Sequence, residues 1–269
     1  MKLELQEAEL EEARRAIVRF IGEQVELAGA AGGVVGLSGG VDSALTAFLS
    51  REALGDRVRA LIMPERGVTP ERDVRDAVEV AERLGIRYEV IDISEVVEAV
   101  RESFPISSFA CLRPKLAQAN IKPRVRMLLL YLASNLDNLL VIGTGNRTEL
   151  LLGYFTKYGD GGVDILPIGG LYKTQVRALA RHVGVPEGIV EKPPSAGLWA
   201  GQRDEEELGL SYEVLDAVLH SIYDLGRSPE ATASALGIAA EDVRRVVDMV
   251  RANSHKLSTP RVAELPWRA

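Results

Sequence analysis

The sequence predicts an α/β fold, a mostly parallel sheet with helices on both faces. Three observations carry this. Short apolar, β-branched runs alternate with stretches whose apolar residues recur at a helical period, the pattern of right-handed crossovers between parallel strands. The first such strand ends in the glycine turn Ser38-Gly39-Gly40, which feeds directly into a helix. The 269 residues, 46% of them hydrophobic, are enough to bury a large core in one domain spanning 1–269.

Taken in order, residues 3–27 place Leu10, Ala13, Ile17, Phe20, Ile21 and Val25 at helical spacing with charges between them. This amphipathic helix covers a sheet face or meets a partner. Val34 and Val35 belong to the first strand, and Leu45, Phe48 and Leu49 lie on one face of the following helix, with Asp42 or Ser43 near its N-cap. Residues 58–63 read as a second strand ended by Met63-Pro64. Thr69-Pro70-Glu71 reads as an N-cap with proline at the first helical position, opening a helix through Val74, Ala77, Val78, Ala81 and Leu84 that Gly85 closes.

Residues 88–93 form the third strand and 94–103 a further helix. Residues 105–116 show little periodicity and read as a loop or lid. Pro123 sits in the opening turn of a long helix to about Asn138, in which Met127, Leu128, Tyr131 and Leu132 are expected to be buried and Arg124 and Arg126 lie near the start. Residues 139–143 make the fourth strand, and 240–253 the last long helix. No internal repeat or low-complexity tract interrupts this Rossmann-like order.

Charge and composition narrow the function. Thirty-two basic residues against 39 acidic give a net charge of −7 with no long basic run, which argues against a nucleic-acid surface. Cys111 is the single cysteine, so no disulfide forms within the chain, and a reducing, cytoplasmic setting is expected. The first residues are acidic where a signal peptide needs basic ones, and no apolar run approaches the roughly 20 residues that cross a bilayer.

In parallel sheets ligands lie beyond the carboxyl ends of the strands, where strand order reverses. A glycine turn before a helix leaves backbone N–H groups pointing outward, and the helix dipole adds positive potential there. The turn is therefore a candidate phosphate site. It is not a Walker A loop, because it has no G-K-[ST] and no lysine at all, so further positive charge must come from elsewhere.

The full stretch S-G-G-V-D-S resembles the pyrophosphate loop of the ATP pyrophosphatases, which cleave ATP between its α and β phosphates. The resemblance implies an adenine nucleotide alpha hydrolase-like fold. It also implies that Gly36, Leu37, Ser38, Gly39, Gly40, Val41, Asp42 and Ser43 bind ATP, with Asp42 a magnesium ligand. Further segments narrow the family: I-G-T-G-N-R-T-E (142–149), G-Y-F-T-K-Y-G-D-G-G-V-D-I (153–165), P-I-G-G-L-Y-K-T-Q-V-R (167–177), P-P-S-A-G-L-W-A-G-Q-R-D-E (193–205) and His255-Lys256. Over about four fifths of the chain these resemble the ammonia-dependent NAD synthetases.

That resemblance implies that ATP adenylates the nicotinate carboxylate of deamido-NAD, and that ammonia then displaces AMP. It implies a homodimer with the dinucleotide at the subunit interface. It implies ATP contacts from Thr144, Lys173 and Ser195, magnesium shared between Asp42 and Glu149, and deamido-NAD contacts from Arg124, Lys157, Asp164, His255 and Lys256. Magnesium suits this set, because a hard cation takes one or two carboxylates plus phosphate oxygens. Lys157 and Lys173 supply the positive charge that the turn lacks. The amidation also needs a proton acceptor, for which Asp164 is a candidate.

Several residues have plainer readings. Asp160 with Gly161-Gly162 can be a turn, His255 can serve the helix C-terminus, and Trp199 can be an exposed lid residue. Cys111 reads as packing or loop filler. A glutaminase domain with a cysteine nucleophile would need roughly another 250 residues on domain-size grounds, so ammonia is the expected nitrogen donor.

Overall fold

The computed structural model describes residues 3–110, 112–260 and 262–263. The expectation for Cys111 lies outside them. Helix α1 (Glu7–Leu27) begins later than the sequence suggests, because Gln6 and Glu9 form a capping box there; it buries Ile17, Ile21 and Val25. Strand β1 (Gly32–Gly36) follows, then α2 (Val41–Leu54). The cap of α2 is Gly40, in extended backbone, rather than Asp42 or Ser43. Those two residues fall in the first helical turn, where the Ser43 hydroxyl donates back to Gly40 O at 3.0 Å.

Strand β2 (Val58–Ile62) stops one residue short of expectation, since Met63 O accepts instead from Arg126 Nε at 3.1 Å. Helix α3 (Glu71–Leu84) is capped by Pro70 itself, while the Thr69 hydroxyl accepts the Glu65 N–H at 3.0 Å. Gly85 closes α3 at φ 60°, as read from the sequence. Strand β3 (Arg87–Val90) is shorter than expected, because it lies at the sheet edge and Asp92 turns the chain by accepting the Ser94 N–H at 2.8 Å. Helix α4 (Ser94–Ser103) has the expected bounds.

Residues 106–108 form a single 3₁₀ turn and Pro114–Ala119 a short helix, α5, inside the stretch read as a loop. Helix α6 (Ile121–Asp137) ends at Asn138 in the left-handed region, φ 54°. Strand β4 (Leu139–Ile142) completes a four-stranded parallel sheet of order β3-β2-β1-β4. Strand order reverses at β1, whose neighbours are β2 and β4. Close packing along β1 requires glycine: a Cβ on Gly32 would come 2.0 Å from the backbone oxygen of Arg57.

The alternation of side chains along each strand divides the core. Val35, Ala60, Ile62 and Ile142 face α1, α2 and α3, whereas Val34, Leu61 and Val141 face α4 and α6. The remaining helices are α7 (Arg147–Leu152), α8 (Lys173–His182), α9 (Glu187–Val190), α10 (Asp204–Leu208), α11 (Tyr212–Leu219), α12 (Pro229–Leu236) and α13 (Ala240–Asn253). Helix α8 packs on α2, and α11 to α13 form a third cluster around Tyr172, Tyr212, Leu215 and Val246.

One expectation for α6 is overturned. Met127 and Tyr131 are partly covered, but Leu128 and Leu132 are 57% and 52% exposed, and Leu136 is 75% exposed. Helical period identifies an apolar stripe without saying what covers it. Here Val125 and Ser134 face the sheet, and the leucines point away. No described helix is long and apolar enough to cross a membrane.

Candidate active site

The glycine turn sits at the carboxyl end of β1, and its own hydroxyls shape it. Ser38 N–H donates to Ser43 Oγ at 3.2 Å, the two hydroxyls lie 3.1 Å apart, and Gly40 N–H approaches Ser38 Oγ at 3.3 Å. Gly39 adopts φ 80°, and a Cβ there would lie 2.2 Å from Asp73 O. Both conformation and space exclude a side chain at this position.

Asp42, in the first turn of α2, meets residues from distant segments. Lys173 Nζ donates to Asp42 Oδ2, and Asn146 Nδ2 donates to Asp42 Oδ1 at 2.9 Å. Glu149 Oε1 lies 3.7 Å from the same ammonium. The Lys173 side chain is 3% exposed, under the ring of Tyr212 at 5.2 Å. Two carboxylates thus share one buried ammonium where the loops after β1 and β4 meet.

The supports are local. Asn146 caps α7 in a box: its side-chain oxygen accepts the Glu149 N–H at 3.0 Å, and the Asn146 N–H donates to Glu149 Oε2 at 3.2 Å. Fully buried Asp216 anchors the start of α8, accepting from the Thr148 hydroxyl at 2.5 Å and from Thr174 N–H at 2.8 Å. Thr148 Oγ1 in turn accepts the Lys173 N–H at 3.0 Å.

Electrostatics follows from burial. Burial and the charge of Asp42 push the Glu149 carboxyl up to about 8, against the opposing pull of Lys173. Burial works against the Lys173 charge, but Asp42 and Glu149 outweigh it and hold the ammonium above its usual range. Burial also raises buried Asp204, which lies within electrostatic reach of Lys173 and Glu149. A pocket of carboxylates short of positive charge suits an added hard cation, with Asp42 and Glu149 its available oxygen donors. Among the described residues no group of three or more His, Cys, Asp or Glu side chains is arranged to hold a metal by protein ligands alone.

The expected substrate residues form a second cluster. Arg124 approaches Lys157 O at 3.4 Å, Lys157 Nζ donates to His255 O at 2.8 Å, and Lys256 Nζ donates to Gly153 O at 2.6 Å and Phe155 O at 3.1 Å. Lys157 and His255, 98 positions apart, and Lys256 and Gly153, 103 apart, are brought together in this way. His255 lies in a 3₁₀ turn after α13, and its Nδ1 is 3.2 Å from Ala252 O, so it also serves the end of that helix. Exposed Asp164 stands apart from this group, accepting from Tyr131 OH at 2.9 Å and from Val141 N–H at 2.8 Å. Asp160 forms a turn, its carboxylate accepting Thr156 N–H at 2.9 Å.

Thr144 follows β4 and is half-buried, whereas Ser195 is exposed and its hydroxyl accepts the nearby Gly197 N–H at 3.1 Å. The Ser195 segment is held from beneath by residues the sequence reading passed over. Asp204 accepts Ala196 N–H at 2.8 Å and the Tyr212 hydroxyl at 3.1 Å; Gln202 accepts Leu198 N–H at 2.7 Å; and buried Lys122 donates to Leu198 O at 2.5 Å while pairing with Glu65. Trp199 stacks under Lys115, whose ammonium is 4.0 Å from the ring centre. Asn146 was also missed, although Asn-x-x-Glu at 146–149 is a legible capping box.

Residues 13–260 match the family model described as NAD synthase. The chain is 52% identical over 258 residues to the NH(3)-dependent NAD(+) synthetase of Hyperthermus butylicus, covering 96% of this chain and 92% of that protein. Two solved structures are similar over 95% of this chain and 99% of their own. The NMN synthetase from Francisella tularensis has a TM-score of 0.83 at 34% identity, and the NH3-dependent NAD synthetase from Campylobacter jejuni subsp. jejuni, in complex with the nitrate ion, one of 0.78 at 30%.

Proposed function

The chain belongs to the NAD synthase family, and from that premise we propose how its residues carry out an ATP-dependent amidation of deamido-NAD by ammonia. The observation that carries the reading is the buried Asp42–Lys173–Glu149 cluster beside an amide-lined glycine turn. In the first step an oxygen of the nicotinate carboxylate attacks the α-phosphorus of ATP, and pyrophosphate leaves. Gly36 to Ser43 cradle the departing phosphates at the start of α2. Lys173 neutralises charge as it builds on them. Thr144 and Ser195 contact the nucleotide from the loop after β4 and the segment before α10.

Magnesium fits the same place. Asp42 and Glu149 would hold it, and when bound it would neutralise phosphate charge and orient the tail for in-line attack. Lys173 keeps Asp42 and Glu149 together before ATP arrives. In the second step the ammonia nitrogen attacks the activated carbonyl carbon, AMP leaves, and one proton must be taken up. Asp164 is our candidate acceptor. Tyr131 and Val141 fix its carboxylate as an acceptor, and it is exposed, open to a substrate that reaches across from the separate cationic cluster. Arg124, Lys157, His255 and Lys256 bind the phosphates and carboxylate of that substrate as a cationic group.

We further propose a homodimer with the dinucleotide at the interface. Leu128, Leu132 and Leu136 continue, at intervals of four, the face of α6 that begins with Arg124. Exposed Val96, Val100 and Phe104 extend the apolar surface onto α4 and beyond. A second copy of this chain would cover that face and set a substrate residue at its rim. The whole of 1–269 then acts as one catalytic unit in a reducing, cytoplasmic setting that suits a single cysteine.

Mixing the protein with deamido-NAD, ATP, magnesium and ammonium should yield NAD, AMP and pyrophosphate in equal amounts. ADP in place of AMP would refute the chemistry. The likeness to an NMN synthetase makes nicotinate mononucleotide the rival acceptor, so the ratio of kcat/KM for the two carboxylates decides the substrate.

A further inference from the structure

Lys192 lies between α9 and the Ser195 segment, and the reaction described above does not use it. Its side chain is largely buried, and its ammonium donates to three oxygens: Gly39 O at 2.9 Å, Asp73 Oδ1 at 2.7 Å and Asp76 Oδ2. Gly39 is the residue of the turn with positive φ, and it presses against the backbone of Asp73. The turn and the first part of α3 therefore meet at one point, and Lys192 bridges both sides of it. Arg72 ties α3 to α9, just before Lys192, donating to Gly188 O at 3.3 Å.

We propose that Lys192 is a positioning residue for the pyrophosphate turn: by gripping Gly39 O it holds the Gly39–Gly40 peptide with its carbonyl turned away from the phosphates. The proposal rests on the ATP-site reading above. In a trans peptide the carbonyl and the N–H point in opposite directions. With Gly39 O held by Lys192, the Gly40 N–H faces the inside of the turn, within 3.3 Å of Ser38 Oγ.

A peptide flanked by two glycines has little steric resistance to flipping. Flipped, it would aim a carbonyl oxygen at a polyanion. Lysine suits the post, having three donors for three oxygens and no acceptor. Asp73 and Asp76 immobilise its flexible stem, and it neutralises two carboxylates that would otherwise repel phosphate. Three residues on, the same strand of chain carries Ser195, so the contact also ties that segment to the turn.

The test compares wild-type protein with Lys192→Met, Lys192→Arg and the triple variant Lys192→Met/Asp73→Asn/Asp76→Asn in steady-state assays, with pyrophosphate as product inhibitor. Lys192→Met should raise the KM for ATP and the inhibition constant for pyrophosphate about tenfold, the order expected for losing one charged hydrogen bond. The KM for deamido-NAD should stay within about twofold, since the cationic group at 124, 157 and 255–256 is untouched. Lys192→Arg should recover most of the loss.

The triple variant should remain impaired, because the repulsion is gone but the peptide is still unheld. Its full recovery would overturn the proposal in favour of simple charge neutralisation. An unchanged ATP KM in Lys192→Met, with only a lower melting temperature, would overturn it too. If that variant does not fold, Lys192→Gln, a neutral donor one bond shorter, carries the same comparison. Absence of pyrophosphate from the wild-type reaction would instead sink the ATP-site reading itself.

Discussion

Asn146 donates from Nδ2 to Asp42 Oδ1 at 2.9 Å while its side-chain oxygen accepts the backbone N–H of Glu149. One side chain thus orients a carboxylate on α2 and caps the helix that carries its counterpart. Asn146→Ala should lower stability by about 1 kcal/mol for the lost cap. It should also reduce magnesium-supported turnover by about tenfold or more through the freed Asp42. Asn146→Ser restores a capping oxygen but not the donor to Asp42, so it should recover the melting temperature without recovering activity.

Glu149 binds protons more tightly folded than unfolded, its pKa moving from 4.5 to about 8. A raised carboxyl pKa adds stability that is complete at pH values below 4.5 and is lost as pH rises toward 8. Protein without nucleotide should therefore lose stability across that window, and Glu149→Gln should flatten the slope. Ligation of magnesium needs the carboxylate, so binding of magnesium with ATP at pH 7 should release a proton. Calorimetry in buffers of different ionisation enthalpy reads that proton directly.

Gly39→Ala should be costly, since it combines φ 80° with a Cβ 2.2 Å from Asp73 O. Backbone strain of this kind costs on the order of 1–3 kcal/mol before the clash is relieved. At Gly36 the nearest atom to an added Cβ is 3.5 Å away, so Gly36→Ala should unfold near the wild-type denaturant midpoint. Equal loss at both positions would contradict the tight approach of α3 to the turn.

Leu132→Glu places a charge in the middle of the exposed face of α6, where the residue is 52% exposed. The fold of one chain should survive, as Leu132 lies outside the described core clusters. Sedimentation should show the proposed dimer replaced by monomer. Deamido-NAD binding should weaken while ATP binding persists, because Arg124 begins the same face, whereas the helix that the glycine turn opens packs on the opposite face of the sheet.

Asp42→Ala and Glu149→Ala should each abolish magnesium-supported turnover with the circular dichroism spectrum unchanged. A fully active double variant would remove the metal assignment.

Much of the fold was legible because its determinants are local. The order of strands and helices follows from apolar period, and the bounds of α4 and α13 were readable to the residue. Some differences arose where a tertiary bond takes a group that a local one could use: Arg126 takes Met63 O beyond the end of β2, and Asn146 and Lys173 take the Asp42 carboxylate while Gly40 caps α2. The leucines of α6 were misplaced for the same reason, since period marks an apolar stripe and only neighbouring elements show which side the sheet covers.

By itself, the order of residues determined the strand, the glycine turn and the helix start that follow one another at 32–54, because those depend on neighbours within a few positions. It also carried the segments by which the chain resembles its family. Tertiary structure alone decided that Lys173 meets Asp42 from 131 positions away and that Lys192 grips Gly39 across 153. Ion pairs and buried hydrogen bonds act only over a few ångströms, and folding, not spacing, brings such groups within reach.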